Sequence, residues 1–340
     1  VIALPPYPKR ASSAEVRQVA PSAYRVAAAG VVVLPCGVAL LLLAALVQLG
    51  ISTADWLDGI RGLVVTILFW SGVVAVVIGV SLLQQPAEVR RGIALSRFGR
   101  EAGLEYVRSG GPVEARGVFF TDGAAGRTPV YQSEFELRSG PSLSPDLRLG
   151  VATFRGNKND PRGPRPVFRF LELRLPRPVP HVMIDSLRNG RLREGPSAVQ
   201  RLRLEGDVDR HFAVYAPRGY ERDALQLLTP DVLICLIDHG RAWDVEIVDD
   251  RVIVASTRFR QRQDATEVPG LLRFALLLGA ELRTQVAPYT DPRAENPRTQ
   301  VSAAGRRLRR RSMWWQALLL IGIIFGTPAL ILGVLLLIIG

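Results

Sequence analysis

The apolar residues of this chain gather into three long uncharged stretches, at residues 26–49, 62–83 and 312–340, which are 24, 22 and 29 residues long. About 20 apolar residues carry a helix across the hydrocarbon of a bilayer, so each stretch is long enough to span. The pattern predicts an N-terminal helical hairpin and a C-terminal span. The first stretch is about twice the 7–15 residues of a signal-peptide apolar core and lacks a small-residue cleavage site before Gln48, so it reads as a span.

Between the second and third stretches the periodicity changes. After QQP at 84–86, residues 87–104 form an amphipathic helical pattern with Leu95, Phe98 and Ala102 on one side and Arg90, Arg97 and Arg100 on another. That helix fits either the surface of an anionic leaflet or a solvated face. Residues 113–216 then break into short alternating runs bounded by Gly, Pro, Asn or Asp, including VYQSEFELR, LRLGVATFR, VFRFLELRLP, HVMIDS and HFAVYAP. They predict an antiparallel sheet of about seven strands, with Arg169, Leu171 and Leu173 forming a wet side.

Helices return at Tyr220. In TPDVLICLIDHG, Thr229 suits an N-cap, Pro230 the first helical position, Asp231 the positive helix end and Gly240 the stop. WDVEIVDDRVIVAS predicts a hairpin turning at Asp249 and Asp250, and residues 267–285 a helix with Leu271, Ala275, Leu278 and Leu282 at core spacing. APYTDPRAENPRTQ reads as a polar, Pro-rich linker.

The expected fold is therefore an α+β membrane protein with three transmembrane helices and a cytoplasmic domain built on an antiparallel sheet flanked by helices. Its expected divisions are a basic N-terminal segment (1–25), the hairpin (26–83), the domain (84–290), a linker with a basic juxtamembrane run (291–311) and the third span (312–340).

Charge sets the expected orientation. Lys9, Arg10, Arg17 and Arg25 precede the first span against a single Glu15, Asp55 and Asp58 face only Arg61 between the spans, and Arg90 and Arg91 follow the second. Because Lys and Arg near span ends stay on the cytoplasmic side, the N-terminus and the domain should lie inside and the C-terminus outside. The net charge of +12 resembles a nucleic-acid signature until it is divided up. Residues 86–311 hold 38 basic and 28 acidic side chains, and half of that excess is the run RRLRRRSMWWQ. Arg306, Arg307, Arg309, Arg310 and Arg311 suit lipid headgroups, and Trp314 and Trp315 suit the interfacial belt. The expected partner is thus the lipid bilayer with its anionic inner leaflet, and no nucleic acid. Lysine occurs only at Lys9 and Lys158, an arginine bias that points to a GC-rich genome.

Each span carries two glycines seven residues apart: Gly30 and Gly37, Gly72 and Gly79, Gly326 and Gly333, the last pair joined by Gly322 in GIIFG. Seven positions return a helix to nearly the same face, so each pair makes a smooth stripe for close backbone approach. Such stripes serve packing among the chain's own spans, a homo-oligomer, or a partner membrane protein. No ionisable residue lies within the spans, which argues against an ion or proton path.

GDVDRHFAVYAPRGYERDAL, TPDVLICLID and WDVEIVDDRVIV resemble segments of a group of uncharacterised actinobacterial membrane-anchored proteins, over about residues 85–311. The resemblance implies no activity and no binding residues.

Candidate chemistry is sparse. His181, His211 and His239 are the three histidines, and no nucleophile, base and acid fall into a recognisable pattern around them. Cys36 and Cys235 lack metal or redox spacing. Asp207, Asp209 and His211 would share a strand face, although a turn is the commoner meaning of GDVDRH. Asn157, Asn159 and Asp160 lack the closing Glu of a calcium loop, and DGAAGRT is too short for a P-loop and runs into a strand. No catalytic residue, cofactor or metal is expected. The expected function is a membrane-anchored, non-enzymatic protein whose domain binds a partner or serves as an accessory or scaffold subunit. The alternative is an enzyme or ligand-binding module at the inner membrane face, its site assembled from residues far apart in sequence.

Overall fold

A computed structural model describes residues 4–49, 61–108, 112–113, 117–120, 131–139, 146–154, 167–190, 195–204, 206–256 and 263–308. It divides at Ala102/Gly103 into a helical unit, Pro5–Ala102, and a second unit that begins at Gly103. The expected third span lies outside the described residues.

The helical unit consists of α1 (Ser13–Val19), α2 (Pro21–Gln48) and α3 (Arg61–Glu101). α2 and α3 are the two apolar helices expected from the hydropathy pattern, and both are long enough to cross a membrane. Their outward side chains are apolar and largely bare, with Val32 65%, Leu63 64%, Trp70 60% and Val77 60% exposed, as suits a hydrocarbon surrounding. α3 does not stop at the end of its apolar stretch. It runs for 41 residues through Pro86, so the span and the amphipathic segment expected after it are one helix. One proline removes a single backbone donor, and the 15 residues that follow it continue the helix.

The glycines lie where α2 meets α3. Gly30, Gly37, Gly72 and Gly79 are all buried, and Gly30 stands opposite Gly79 while Gly37 stands opposite Gly72, an antiparallel match. A Cβ on Gly37 would lie 2.7 Å from Val76 N and 3.0 Å from Gly72 O, and one on Gly79 would lie 2.8 Å from Leu34 Cα. The two backbones therefore approach more closely than any side chain permits. At one end of the pair, Arg61 Nε donates to Val47 O at 2.8 Å.

The second unit is organised on β5 (Phe168–Ser186), a 19-residue strand. β8 (Asp244–Ser256) pairs with one edge from Arg169↔Ser256 to Ile184↔Val245. Along the other edge β5 pairs first with β4 (Leu147–Phe154) over Phe168–Leu173, then with β7 (Phe212–Tyr215) over Met183–Ser186. β3 (Tyr131–Ser139) extends the sheet beyond β4, with β1 (Leu104–Val107) and the short β2 (Pro112–Val113) on it; β6 (Arg201–Leu202) borders β7. Every described pairing is antiparallel.

Two sequence expectations change here. VFRFLELRLP and HVMIDS are one strand, because Pro176, Pro178 and Pro180 fall between the β4 and β7 pairings, where no donor is required of them. WDVEIVDDRVIVAS is likewise one strand and no hairpin. Its register shifts around Val179↔Asp249, and Asp249 takes φ 52°, so the aspartates bulge the strand without reversing it.

Both faces of β5 are covered. Phe168 and Phe170 pack with Phe120, Ala152, Val248, Ile253 and Ala255 on one face. On the other, the expected wet side is buried against α6 (Asp264–Val286): Leu173 touches the bare backbone of Gly279, and Arg169 is fully buried between Asp264 and Glu267. The guanidinium can face the core because two carboxylates of the covering helix neutralise it. α4 (Glu221–Leu227) and α5 (Pro230–Cys235), which runs on through a π turn at Leu236–Gly240, complete the flanking helices.

The seam between α2 and α3 is testable. Gly37→Ala should destabilise the detergent-solubilised chain by about 1–3 kcal/mol, the range for overpacking. Gly62→Ala, where a Cβ meets nothing within 4 Å, should be neutral or stabilising. Denaturant titrations of the two variants against the parent, followed by circular dichroism, measure the difference.

Candidate functional site

The residues expected to hold the protein at the membrane fall into three groups. Gly30, Gly37, Gly72 and Gly79 meet one another across the α2–α3 seam. Arg306 and Arg307 are exposed between buried Gly305 and buried Leu308, just after the turn at 303–305, and Arg306 Nε donates to Val301 O at 2.7 Å. Arg309, Arg310, Arg311, Trp314, Trp315, Gly322, Gly326 and Gly333 lie outside the described residues.

A second basic cluster was not recognised from the sequence as a site. The capping box Ser12–Glu15 starts α1, and Val16 and Ala11 bury its apolar side. Tyr7 packs on the fully buried Phe98 of α3, with ring centroids 5.6 Å apart. α1 is pinned by two arginines of α3. Arg97 pairs with Glu15 at 3.2 Å, and Arg90 Nη2 donates to both Ser13 Oγ at 2.9 Å and Tyr24 OH at 3.0 Å. The hydrogen bond from Arg97, and then that from the Ser12 N–H, hold the Glu15 carboxyl below the usual range. From the other side, the Arg17 guanidinium lies over the Tyr24 ring, 5.2 Å from its centroid. The S-x-x-E spacing at Ser12 was the available signal that the N-terminal segment is structured.

The second unit holds its polar groups in three places. The segment after α6, expected to be a linker, is packed down. Asp291 is fully buried and accepts from Tyr220 OH at 2.7 Å, Ser302 N at 2.9 Å and Arg293 N at 3.0 Å. Burial works to raise the Asp291 pKa, but these hydrogen bonds outweigh it and leave it lowered. Arg293 stacks on the Tyr220 ring at 4.1 Å and reaches Asp223, which also accepts from Tyr289 OH at 2.9 Å.

His181 holds the end of the same segment. Its backbone N–H donates to Gly305 O at 2.9 Å, and its Nδ1 accepts from Leu308 N at 3.2 Å. Nε2 therefore carries the proton and donates to buried Glu246 at 2.6 Å. With both ring nitrogens occupied in this way, the imidazole has no lone pair left for a general base. Glu246 also accepts from Val118 N at 2.5 Å.

The third place is the pair Asp185 and Asp244, on β5 and β8 one step beyond the Ile184↔Val245 pairing. Asp244 accepts from Ser186 N at 2.8 Å and Asn189 Nδ2 at 2.9 Å, yet burial pushes its pKa to about 8, with the Asp185 charge adding to the rise. Burial also lifts Asp185 to about 6, and its Oδ1 is buried without a hydrogen-bond partner. Nothing in the sequence pattern marked this pair, because the two positions are 59 residues apart and meet only through strand register.

The remaining candidates are placed apart. GDVDRH is a turn: Val208–Arg210 is a 3-10 helix, Asp207 pairs with Arg210 and Asp209 accepts from Leu204 N. His239 is exposed in the π turn. Burial, followed by Glu281 and Asp238, pushes the Cys235 thiol up to about 11, which makes it a poor nucleophile. No three metal-ligating side chains converge among the described residues.

The aspartate pair sets a pH dependence. Both folded-state pKa values lie above the unfolded value near 4, so the folded chain binds these protons more tightly and loses stability as pH rises from about 4 through about 6 and 8. Asp185→Asn should flatten that decline and raise the melting temperature at pH 8 by a few degrees, with little change at pH 4.5. Equal destabilisation at both pH values in thermal melts would contradict this.

No protein-family model matches the chain, and no curated protein matches it. Among solved structures, the crystal structure of the mycobacterial trehalose monomycolate transport factor A, TtfA, matches at 12% identity and a TM-score of 0.38. The match covers 57% of this chain and 94% of that one; a likeness this loose carries no argument about function.

Proposed function

We propose that this protein is a membrane-anchored, non-enzymatic accessory or scaffold subunit whose α+β domain engages a partner. The observation that carries the reading is the α2–α3 pair: two helices joined backbone to backbone through glycines, with bare apolar side chains outside. Such a pair anchors, and it offers no ionisable residue along its apolar length for transport. Within the domain, His181, Glu246, Asp223 and Asp291 point their polar atoms at structural partners, which supports a binding role over catalysis.

The charge distribution supports the orientation in which the N-terminus and the domain face the cytoplasm and the C-terminus lies outside. Specific binding to an anionic leaflet by Arg306 and Arg307 belongs to the same proposal. A second reading, a ligand-binding or catalytic module, has one observation on its side: neighbouring carboxylates with raised pKa values, at half-buried Asp185 and buried Asp244, are a recognised property of functional sites.

Extraction in mild detergents, followed by identification of co-purifying chains, should recover a membrane-protein partner or a homo-oligomer in stoichiometric amount. A lone monomer in every detergent would sink the accessory-subunit reading. Orientation is checked separately: protease added to intact cells should leave the domain whole, and its digestion from outside would reverse the proposed topology.

A further inference from the structure

We propose that Arg17 and Arg90, gathered on Tyr24, form a seat for the phosphate of an anionic phospholipid. The inference rests on the reading that α2 and α3 span a membrane, and it assigns a ligand to residues outside the RRLRRR run. Two guanidiniums meet one phenol here, Arg90 on its hydroxyl and Arg17 over its ring. Among the described residues neither has a carboxylate partner, whereas the neighbouring Arg97 is neutralised by Glu15. The Nε of Arg90 is buried and makes no hydrogen bond, and Arg17 is exposed. Two uncompensated guanidiniums held by packing and neutral hydroxyls make an anion site, and their planar forks match phosphate oxygens.

Position selects a lipid over an acidic protein segment. Tyr24 lies two residues before the uncharged stretch of α2, and Arg90 follows the uncharged stretch of α3 by seven residues, so the cluster sits where both helices change from apolar to charged. That is the level of the headgroups if the helices span. Val19, the last residue of α1 and 67% exposed, presents an apolar side chain near it, as an interfacial helix does. Residues 5–25 and 84–102 together carry eight basic side chains and three acidic ones, which favours a lipid with net negative charge over a zwitterionic one.

The test uses the full chain reconstituted in bilayers of equal phosphatidylglycerol and phosphatidylcholine, extracted gently, with retained lipid quantified by mass spectrometry. Phosphatidylglycerol should be enriched in the parent, and Arg17→Gln and Arg90→Gln should each reduce the enrichment about fivefold, the usual worth of one basic residue at a charged surface. Arg100→Gln removes the same charge from the exposed end of α3 and should leave enrichment unchanged. Arg17 makes no hydrogen bond that holds α1 in place, so its variant separates lipid binding from misfolding. No enrichment in the parent, or an equal loss in Arg100→Gln, would overturn the seat. A chain released from membranes by alkaline carbonate would refute the anchor itself, while a retained chain without lipid preference would refute only the seat.

Discussion

A strand that contains three alternate prolines cannot be hydrogen-bonded along its whole length, and the domain is arranged around that constraint. Between Arg174 and Val182, β5 passes through Pro176, Pro178 and Pro180, and there its pairing with β8 shifts register at Asp249. On the opposite edge the same interval is the gap between β4 and β7. One strand thereby joins two patches of sheet, each paired on both sides of β5. The patch toward Phe168 is covered on one face by phenylalanines and on the other by α6, and the patch toward Ser186 carries Asp185, Ser186 and their contacts with β8.

Because β5 is buried on both faces, its polar side chains need partners drawn from distant elements. Arg169 takes its carboxylates from α6, His181 takes Glu246 from β8 and a backbone amide from residue 308, and Ser186 donates its hydroxyl to Arg241 O while its backbone N–H donates to Asp244. A charge held this way is costly to unpair, since removing one partner leaves the other in a medium of low dielectric. The same contacts hold the chain that follows α6 against the domain, with Tyr220 and Arg293 fastening Asp291 on the way. What composition presents as a polar linker is thus closed by buried hydrogen bonds, and the site at which the RRLRRR run begins is set by His181.

The helical unit follows a different rule. Between apolar helices in lipid, where water drives no burial, close backbone contact is what supplies attraction, and the glycines seven apart on α2 and α3 permit contact of that kind. At the charged end, α1 is pinned by Arg90 and Arg97. The capping box announces α1 locally, but only packing brings Ser13 to Arg90, 77 residues away.

Much of this was legible from residue order. Apolar run length determined that α2 and α3 exist, period-2 alternation determined that an antiparallel sheet follows, and the spacing of Leu271, Ala275, Leu278 and Leu282 determined which face of α6 is buried, because each depends on neighbours within a few residues. Tertiary structure alone decided that WDVEIVDDRVIVAS stays one strand, that Arg169 faces the core, that the segment after α6 is packed, and that Asp185 meets Asp244. These outcomes depend on partners 59 to 127 residues away, whose charge, donors and register no local pattern carries.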